Sequence, residues 1–232
     1  ECNLRASRSF PFVSKVMKKN LIEIATRVIM GRPVVEDMDI LFNLDYVGVK
    51  APQFSFTRLE GADPVLGVEM ASTGEVACLG WDFDEAFLKS LLCVGFKFPV
   101  KRALVSSGPI ESKAYFLKGM RLLASQGVKF LATHGTAEFM RRNGLDADEV
   151  FWPLEGSEPN ALSVIRNGEV DLVLNIPKHF GKDELTNDYM IRRAAVDFAV
   201  PLITDLQIAQ RLAEALSRLS VQDLKVRSWR EY

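Results

Sequence analysis

Residues 128–143 read VKFLATHGTAEFMRRN, and this stretch decides the fold class. Its apolar first part predicts a strand at 128–133, and its second part predicts a helix at 136–143. Only the short run Thr133-His134-Gly135-Thr136 joins the two elements. A strand that passes so directly into a helix is typical of a parallel α/β sheet, in which each strand returns through a helix.

The same alternation continues on both sides of this stretch. Further strands are predicted at 102–106, 149–152, 171–176 and 201–204, and further helices at 112–126, 160–167, 189–199 and 205–219. Elements of these lengths in this order predict an α/β fold with a doubly wound, Rossmann-like parallel sheet. Ligands in such sheets bind outside the carboxyl ends of the strands, so functional residues are expected where the strands end.

The part of the chain before residue 100 is less regular. Apolar residues at helical spacing predict a helix within 21–29, and Asp84 is expected to cap a later helix. Strands are expected at 46–50 and 65–70, and a turn at 72–75 is expected to precede the apolar run 76–79. Because residues 94–101 have the composition of a linker, we predict a first unit at 1–95 and a second at 96–232.

The composition excludes several classes of protein. The chain has 232 residues, of which 48% are hydrophobic and 25% charged, as is usual for globular proteins. A net charge of −1 predicts no general attraction to nucleic acid or to an anionic membrane, so any anion site must be local. No apolar run approaches the roughly 20 residues that span a bilayer. The three cysteines, without CxxC spacing, predict neither a disulfide framework nor a zinc site and favour a reducing compartment.

Glu1, Asn3 and Arg5 alternate with other residues at the start of the chain. On an extended segment this spacing puts the three side chains on one face. A carboxylate and an amide oxygen suit a magnesium ion, and arginines such as Arg5 and Arg8 can neutralise phosphate charge. These groups are typical of phosphoryl transfer. A solvated polar edge strand explains the same spacing, and the spacing alone favours that alternative.

A second polar cluster lies in the later part of the chain. Thr133 and Thr136 flank the start of a predicted helix, where two hydroxyls and free backbone N–H groups form a small anion cradle. An ordinary capping turn is the alternative. Trp152 and Asn175 each end a predicted strand, and Lys178 follows in a loop. Core packing for Trp152, a satisfied turn amide for Asn175 and solvent exposure for Lys178 are the corresponding alternatives.

The sequence resembles one known enzyme family over essentially its whole length. ECNLRASRSFPFVSK (1–15) closely resembles the motif near the end of the second ATP-grasp unit in carbamoyl phosphate synthetase large subunits. DPVLG (63–67) and EMASTGEV (69–76) are also similar to that family. The similarity then continues through the linker into a regulatory domain of the methylglyoxal-synthase-like type.

The resemblance implies a fold and an activity. Residues 1–95 would be the carboxy-terminal part of an α+β ATP-grasp domain that phosphorylates carbamate, and residues 96–232 an allosteric domain. The whole enzyme would be an ATP-dependent carbon–nitrogen ligase that makes carbamoyl phosphate from bicarbonate, ammonia and ATP for pyrimidine and arginine biosynthesis. Glu1 and Asn3 would bind the Mg²⁺ or Mn²⁺ that holds ATP, and Arg5 and Arg8 would stabilise the transferring phosphoryl group. Because no Met begins the chain, we expect a piece of a longer protein that is inactive alone.

The resemblance also implies partners. These are the remainder of the large subunit, a glutamine amidotransferase small subunit that supplies ammonia, further copies in a homo-oligomer and a small anionic allosteric effector. The residues implied to bind the effector are Thr133, Thr136, Trp152, Asn175 and Lys178. No nucleic acid and no membrane is expected, and the implied location is cytoplasmic, with the mitochondrial matrix as the alternative.

The identity of the effector is open. Ala51 and the run Leu202-Ile203-Thr204 depart from relatives that are activated by ornithine. Trp152 and Asn175-Ile176-Pro177 are more similar to the animal-type enzymes, one of which is activated by N-acetylglutamate. Asp188 is expected to repel such a dicarboxylate.

Two other functions and one further feature stay open. Methylglyoxal synthases share the fold of the second unit, but this chain has Pro177-Lys178-His179-Phe180 where those lyases carry the loop with their catalytic Asp. A small-anion sensor without chemistry is the remaining alternative. Arg192 and Arg193 either face a ligand or the neighbouring unit, or form salt bridges on a helix surface.

Overall fold

The computed structural model describes residues 7–34, 44–65, 72–177 and 182–232. The helices are α1 (Phe10–Val16), α2 (Leu21–Ile29), α3 (Phe83–Cys93), α4 (Ile110–Ser125), α5 (His134–Arg142), α6 (Ala161–Arg166), α7 (Lys182–Asp197) and α8 (Leu206–Arg218). The strands are β1 (Val47–Gln53), β2 (Gly74–Gly80), β3 (Arg102–Ser107), β4 (Lys129–Thr133), β5 (Asp148–Val150), β6 (Leu172–Ile176) and β7 (Leu202–Ile203).

The second half of the chain forms the predicted parallel sheet. Its five strands lie in the order β5-β4-β3-β6-β7, and every neighbouring pair is parallel. The chain first builds outward from β3 to β5 and then crosses to the other side of β3 to add β6 and β7. This is a doubly wound sheet, so the predicted fold class is confirmed.

Alternating side chains divide the core into two apolar clusters, one on each face of the sheet. On β3, Ala103 and Val105 belong to the cluster under α3, α4, α5 and α8, whereas Leu104 belongs to the cluster under α6 and α7. The same period of two separates Leu174 from Val173 on β6. Strands covered by helices on both faces read as continuous apolar runs, which is why they could be recognised from sequence.

β1 and β2 form a separate antiparallel pair, on which α3 packs. The predicted strand at 65–70 lies almost wholly outside the described residues. The predicted cap of α3 is wrong: the side chain of Asp82 accepts the capping hydrogen bond from the amide of Glu85, and Asp84 lies inside the first turn. Because α3 shares an apolar cluster with the second half of the chain, the boundary at residue 95 stays a prediction.

Asp84 instead joins α3 to α8. Its buried carboxylate accepts hydrogen bonds from Arg211 at 2.5 Å and from Arg218 at 3.0 Å. The guanidinium of Arg211 also lies 4.5 Å from the centre of the Phe83 ring, a cation–π contact. A carboxylate is stable at a buried position only when it is paired, and these two arginines pair it.

The last residues of the chain return to its first half. The indole of Trp229 donates to the carbonyl of Lys15 at 2.8 Å, and the hydroxyl of Tyr232 donates to the carbonyl of Leu79 at 3.0 Å. Lys89 donates to the same hydroxyl at 2.7 Å. The segment therefore docks rather than hanging free. In the part of the chain that the structure describes, no helix is long and apolar enough to cross a membrane.

We expect Asp84→Asn to lower the free energy of unfolding by about 2 kcal/mol, because hydrogen bonds to charged groups contribute roughly 1.5–3 kcal/mol. Urea unfolding monitored by circular dichroism measures this loss. The control is Glu23→Gln, which removes an i,i+4 pair with Arg27 whose two side chains are about half exposed. That pair is expected to contribute under ~0.5 kcal/mol. Equal losses in the two variants would contradict a stabilising role for Asp84.

Candidate functional site

The carboxyl edge of the parallel sheet carries a concentration of polar side chains. β3 and β6 are neighbours, and the helices that follow them, α4 and α7, lie on opposite faces of the sheet. In doubly wound sheets, ligands bind beside the strand ends where two such neighbouring strands send their helices to opposite faces. Ser106 and Asn175 are register partners at this point, and Thr133 ends the adjacent β4.

The start of α5 forms a cradle whose N–H groups are not capped by a side chain. Thr133 occupies the N-cap position, but its hydroxyl makes no capping hydrogen bond. Thr136 in the first turn instead accepts from the backbone N–H of Ser107 at 3.3 Å. This geometry departs from the ordinary capping turn that was the alternative, and it leaves backbone donors at the helix start.

Ser107 provides a further unpaired group beside this cradle. It is only 4% exposed, and its hydroxyl oxygen has no hydrogen-bond partner among the described residues. A buried polar atom without a partner costs free energy, so Ser107 has a hydroxyl that is able to hydrogen-bond a bound ligand. Sequence reasoning missed Ser107, although the rule that strand ends carry function could have found it at the end of the predicted strand 102–106.

Lys113 brings positive charge to the same place. It lies in the first turn of α4, and its ammonium donates to the carbonyl of Gly135 at 3.0 Å. A cation is therefore held over the start of α5, whose macrodipole is also positive at this end. Together these charges create a locally positive environment that attracts anions, which the net charge of −1 for the whole chain does not provide.

Behind the cradle, a chain of buried polar side chains runs toward α7. Thr133 donates to Ser106 at 3.4 Å, and Ser106 donates to the carboxylate of Asp188 at 3.3 Å. The amide nitrogen of Asn175 donates to the same carboxylate oxygen at 2.8 Å, and the amide oxygen of Asn175 accepts from Arg192 at 2.9 Å. The period of two along β3, β4 and β6 puts Ser106, Thr133 and Asn175 on this one face.

These contacts bear on two expectations. Asn175 is held on both sides of its amide, so it is a satisfied group that keeps one N–H and one lone pair for a ligand. The expectation that Asp188 repels a dicarboxylate stays a prediction, because hydrogen bonds from neutral groups leave the charge of its carboxylate in place. Asp188 is 1% exposed, and one of its oxygens accepts hydrogen bonds from Ser106 and Asn175, so it belongs to the wall of the site.

Of the other predicted site residues, the structure describes only Trp152 and Arg8. Trp152 follows β5 at the same edge and packs partly buried against the cluster under α6 and α7. Arg8 is exposed in the turn before α1. Glu1, Asn3, Arg5 and Lys178 lie outside the described residues, so their assignments stay predictions. Within the described ranges, no group of three or more His, Cys, Asp or Glu side chains is arranged to hold a metal ion.

His134, the first residue of α5, adds a titratable charge near the cradle. Its ring nitrogen Nδ1 lies 2.6 Å from the carboxylate of Glu149, which also pairs with Arg141. The hydrogen bond with Glu149 and the charge of that carboxylate raise the pKa of His134 above its ordinary value. The same hydrogen bond, together with the one from Arg141, lowers the pKa of Glu149.

Comparison with known proteins finds one matching family model and several similar, longer proteins. Residues 116–204 match the MGS-like domain, a stretch that contains all of α5 and the ends of β4 and β6. The chain is 46% identical over 236 residues to the multifunctional protein URA2 of Saccharomyces cerevisiae, an alignment that covers 98% of this chain and 11% of that protein.

Two further relatives show the same pattern. The mitochondrial carbamoyl-phosphate synthase (ammonia) of Homo sapiens is 44% identical over 236 residues, covering 97% of this chain and 16% of that protein. The multifunctional protein CAD of Squalus acanthias is 43% identical over 230 residues, covering 93% of this chain and 10% of that protein. The chain thus spans between a tenth and a sixth of the length of these relatives.

We expect the imidazole of His134 to titrate above the ordinary pKa of a histidine, and to return toward that value in the variant Glu149→Gln. The protonated ring donates to the carboxylate, so removing the negative charge removes the preference for the protonated form. NMR titration of the histidine ring protons measures both values, and His179, the second of the two histidines, is the internal reference. An unchanged His134 titration in Glu149→Gln would show that the ion pair is absent in solution.

Proposed function

We propose that this chain is the effector-sensing end of a carbamoyl-phosphate synthase. The premise is that it contains an MGS-like domain and is homologous to the carboxy-terminal region of the large subunits of such enzymes. Its own task is to bind a small anion at the start of α5. One observation carries the proposal: the uncapped cradle of Thr133 and Thr136 lies beside the unpaired hydroxyl of Ser107 at the switch point of the sheet.

The chemistry of the cradle favours an anion over a neutral ligand. Backbone N–H groups at a helix start and the hydroxyl of Ser107 can donate to oxygen atoms. The hydroxyls of Thr133 and Thr136 can also do so by turning from their long contacts with Ser106 and with the carbonyl of Ser107. Lys113 adds a cation, and the protonated form of His134 adds a second. A phosphate or carboxylate group accepts several such hydrogen bonds at once, and charge-assisted hydrogen bonds are about twice as strong as neutral ones.

The activity of the whole enzyme is the second part of the proposal. It is the ATP-dependent synthesis of carbamoyl phosphate from bicarbonate and ammonia, in support of pyrimidine and arginine biosynthesis. Glu1 and Asn3 would hold the Mg²⁺ that accompanies ATP, and Arg5 and Arg8 would neutralise the transferring phosphoryl group. This part rests on the motif in residues 1–15 and on the similarity to carbamoyl-phosphate synthases.

The partners follow from the same similarity. The chain is proposed to act with the remainder of the large subunit, with a glutamine amidotransferase that supplies ammonia, and in further copies as a homo-oligomer. A cytoplasmic location is proposed, with the mitochondrial matrix as the alternative. Support for the first of these comes from the long relatives, in which a segment like this chain is one part of a multifunctional protein.

The chemical class of the effector can be proposed, although its identity is open. Trp152 and the loop at Lys178 are proposed to complete the site around the part of the effector that extends from the cradle. An aromatic wall and a further cation suit a phosphorylated nucleotide, a phosphorylated sugar or a small carboxylate. The departures at Ala51 and at Leu202-Ile203-Thr204 speak against an ornithine site.

We expect Thr136→Val to weaken anion binding by at least about tenfold, because a hydrogen bond to a charged group contributes roughly 1.5–3 kcal/mol. Valine has nearly the shape of threonine and removes only the hydroxyl. Calorimetric titration with inorganic phosphate, uridine nucleotides, phosphoribosyl pyrophosphate and N-acetylglutamate measures the loss.

The matched control for this experiment is Thr26→Val. Thr26 lies in α2, where its hydroxyl donates to the carbonyl of Ile22, so affinity is expected to stay within twofold of the unmodified chain. If none of the four ligands bound the unmodified chain, the proposed effector-sensing function would be wrong.

The 232-residue chain is expected to form no carbamoyl phosphate when supplied with ATP, Mg²⁺, bicarbonate and ammonia. The reason is that it spans at most 16% of the relatives compared above, so most of a full-length enzyme is missing from it. Conversion of radiolabelled bicarbonate to carbamoyl phosphate provides the measurement, and a full-length relative provides the positive control. Measurable product from the isolated chain would contradict this expectation.

A further inference from the structure

Arg192 occupies an unusual position at the rear of the cradle. Its side chain is 3% exposed, and it is the only buried basic residue in the described part of the chain. On one side it donates to the amide oxygen of Asn175 at 2.9 Å. On the other side its Nε and Nη2 atoms form a bidentate salt bridge with the carboxylate of Asp63, in which Nε donates to Oδ1 at 2.8 Å. One guanidinium is thus shared between the sheet edge and a segment far away in sequence.

Asp63 belongs to a segment that α7 holds by several contacts. The hydroxyl of Tyr189 donates to the carbonyl of Gly61 at 2.9 Å. Arg193 donates to three carbonyl groups of the same segment, those of Phe56, Leu59 and Ala62. These contacts do not involve the polar residues of the sheet edge. They hold the segment against α7, and the Asp63–Arg192 pair is the contact that also reaches the sheet edge.

The charged groups of this region are linked to one another. Asp63 pairs directly with the guanidinium of Arg192, and the buried Asp188 is connected to it through the amide of Asn175. A bound anion at Thr133 and Thr136 adds a further negative charge on the Asn175 side. Arg192 is 3% exposed whereas Asp63 is 41% exposed, so solvent screens the Asp63 side of the pair more than the Asn175 side. The new charge and Asp63 draw on the same cation, and the poorly screened Asn175 side favours the anion.

Building on the proposed function, we infer that Arg192 is a positioning residue whose guanidinium is shared in competition between the anion site and Asp63. Anion binding then weakens the Asp63–Arg192 pair, and the segment around Asp63 registers that the site is occupied. By thermodynamic reciprocity, removing the charge of Asp63 must strengthen anion binding by the same factor by which the anion weakens the pair.

The test measures the affinity of inorganic phosphate for the 232-residue chain by calorimetry, first in the unmodified chain and in Asp63→Asn. We expect Asp63→Asn to bind phosphate about fivefold more tightly, within the usual range of coupling between sites. The matched control is Asp197→Asn, which also removes a carboxylate but one that pairs with Arg193. That variant is expected to stay within twofold of the unmodified chain.

A second background isolates the role of Arg192. In Arg192→Gln the effect of Asp63→Asn is expected to disappear, because the shared cation is gone. If the glutamine variant does not fold, Arg192→Lys replaces it in this experiment, since lysine keeps the charge but cannot form the bidentate salt bridge. As an independent measurement, phosphate is expected to speed hydrogen exchange of the Val65 amide, which donates to Asp63 at 3.2 Å.

The possible results separate the two proposals. If phosphate binds but Asp63→Asn behaves like Asp197→Asn, or if Asp63→Asn has the same effect without Arg192, the inference is wrong and the anion site stands. If neither phosphate nor any of the other three ligands binds, the proposed function fails and this inference fails with it. A Val65 amide that exchanges at the same rate with and without bound phosphate would also overturn the coupling.

Discussion

The structure depends on one constraint: polar side chains at the ends of three parallel strands are buried, and each must find a partner. Ser106, Thr133 and Asn175 stand side by side on the face that α7 covers. A buried carboxylate, Asp188, and a buried guanidinium, Arg192, satisfy them. Buried networks of this kind are costly when one member is missing, so they fix the position of α7 against the sheet more narrowly than apolar packing does.

Much of the fold could be predicted from the sequence, because strands covered on both faces appear as short apolar runs between helical patterns. All five strands of the parallel sheet and four of the five helices that follow β3 were predicted within two residues of their actual ends, whereas α7 begins at Lys182 and not at the predicted residue 189. α1 was not, since a seven-residue helix with Pro11 near its start has no repeated apolar pattern. The cap of α3 was misassigned because Asp82 and Asp84 are equally plausible capping residues, and only the tertiary pairing of Asp84 with α8 distinguishes them.

The candidate site could be predicted only in part. Thr133, Thr136 and Asn175 were found because they follow predicted strands or begin a predicted helix. Ser107 and Lys113 carry the same kind of signal and were overlooked. The pairing of Asp63 with Arg192 could not have been predicted, because 129 residues separate the two and no local pattern reports a contact over that distance. Residues 192 and 193 looked alike in sequence, yet Arg192 is buried in the network and Arg193 binds backbone carbonyls and Asp197.

The docking of the last residues has a consequence for how this chain folds. The hydroxyl of Tyr232 and the carbonyl of Leu79 are 153 positions apart, and the indole of Trp229 and the carbonyl of Lys15 are 214 apart. Contacts that close such long loops form late in folding, since the entropy of loop closure must be lost before the contact compensates for it. We therefore expect the parallel sheet and its helices to assemble before the last residues dock on the first half of the chain. Contacts of this kind are also among the first to open in local fluctuations. The docked carboxy-terminal segment and the parallel sheet can therefore differ in their free energies of opening.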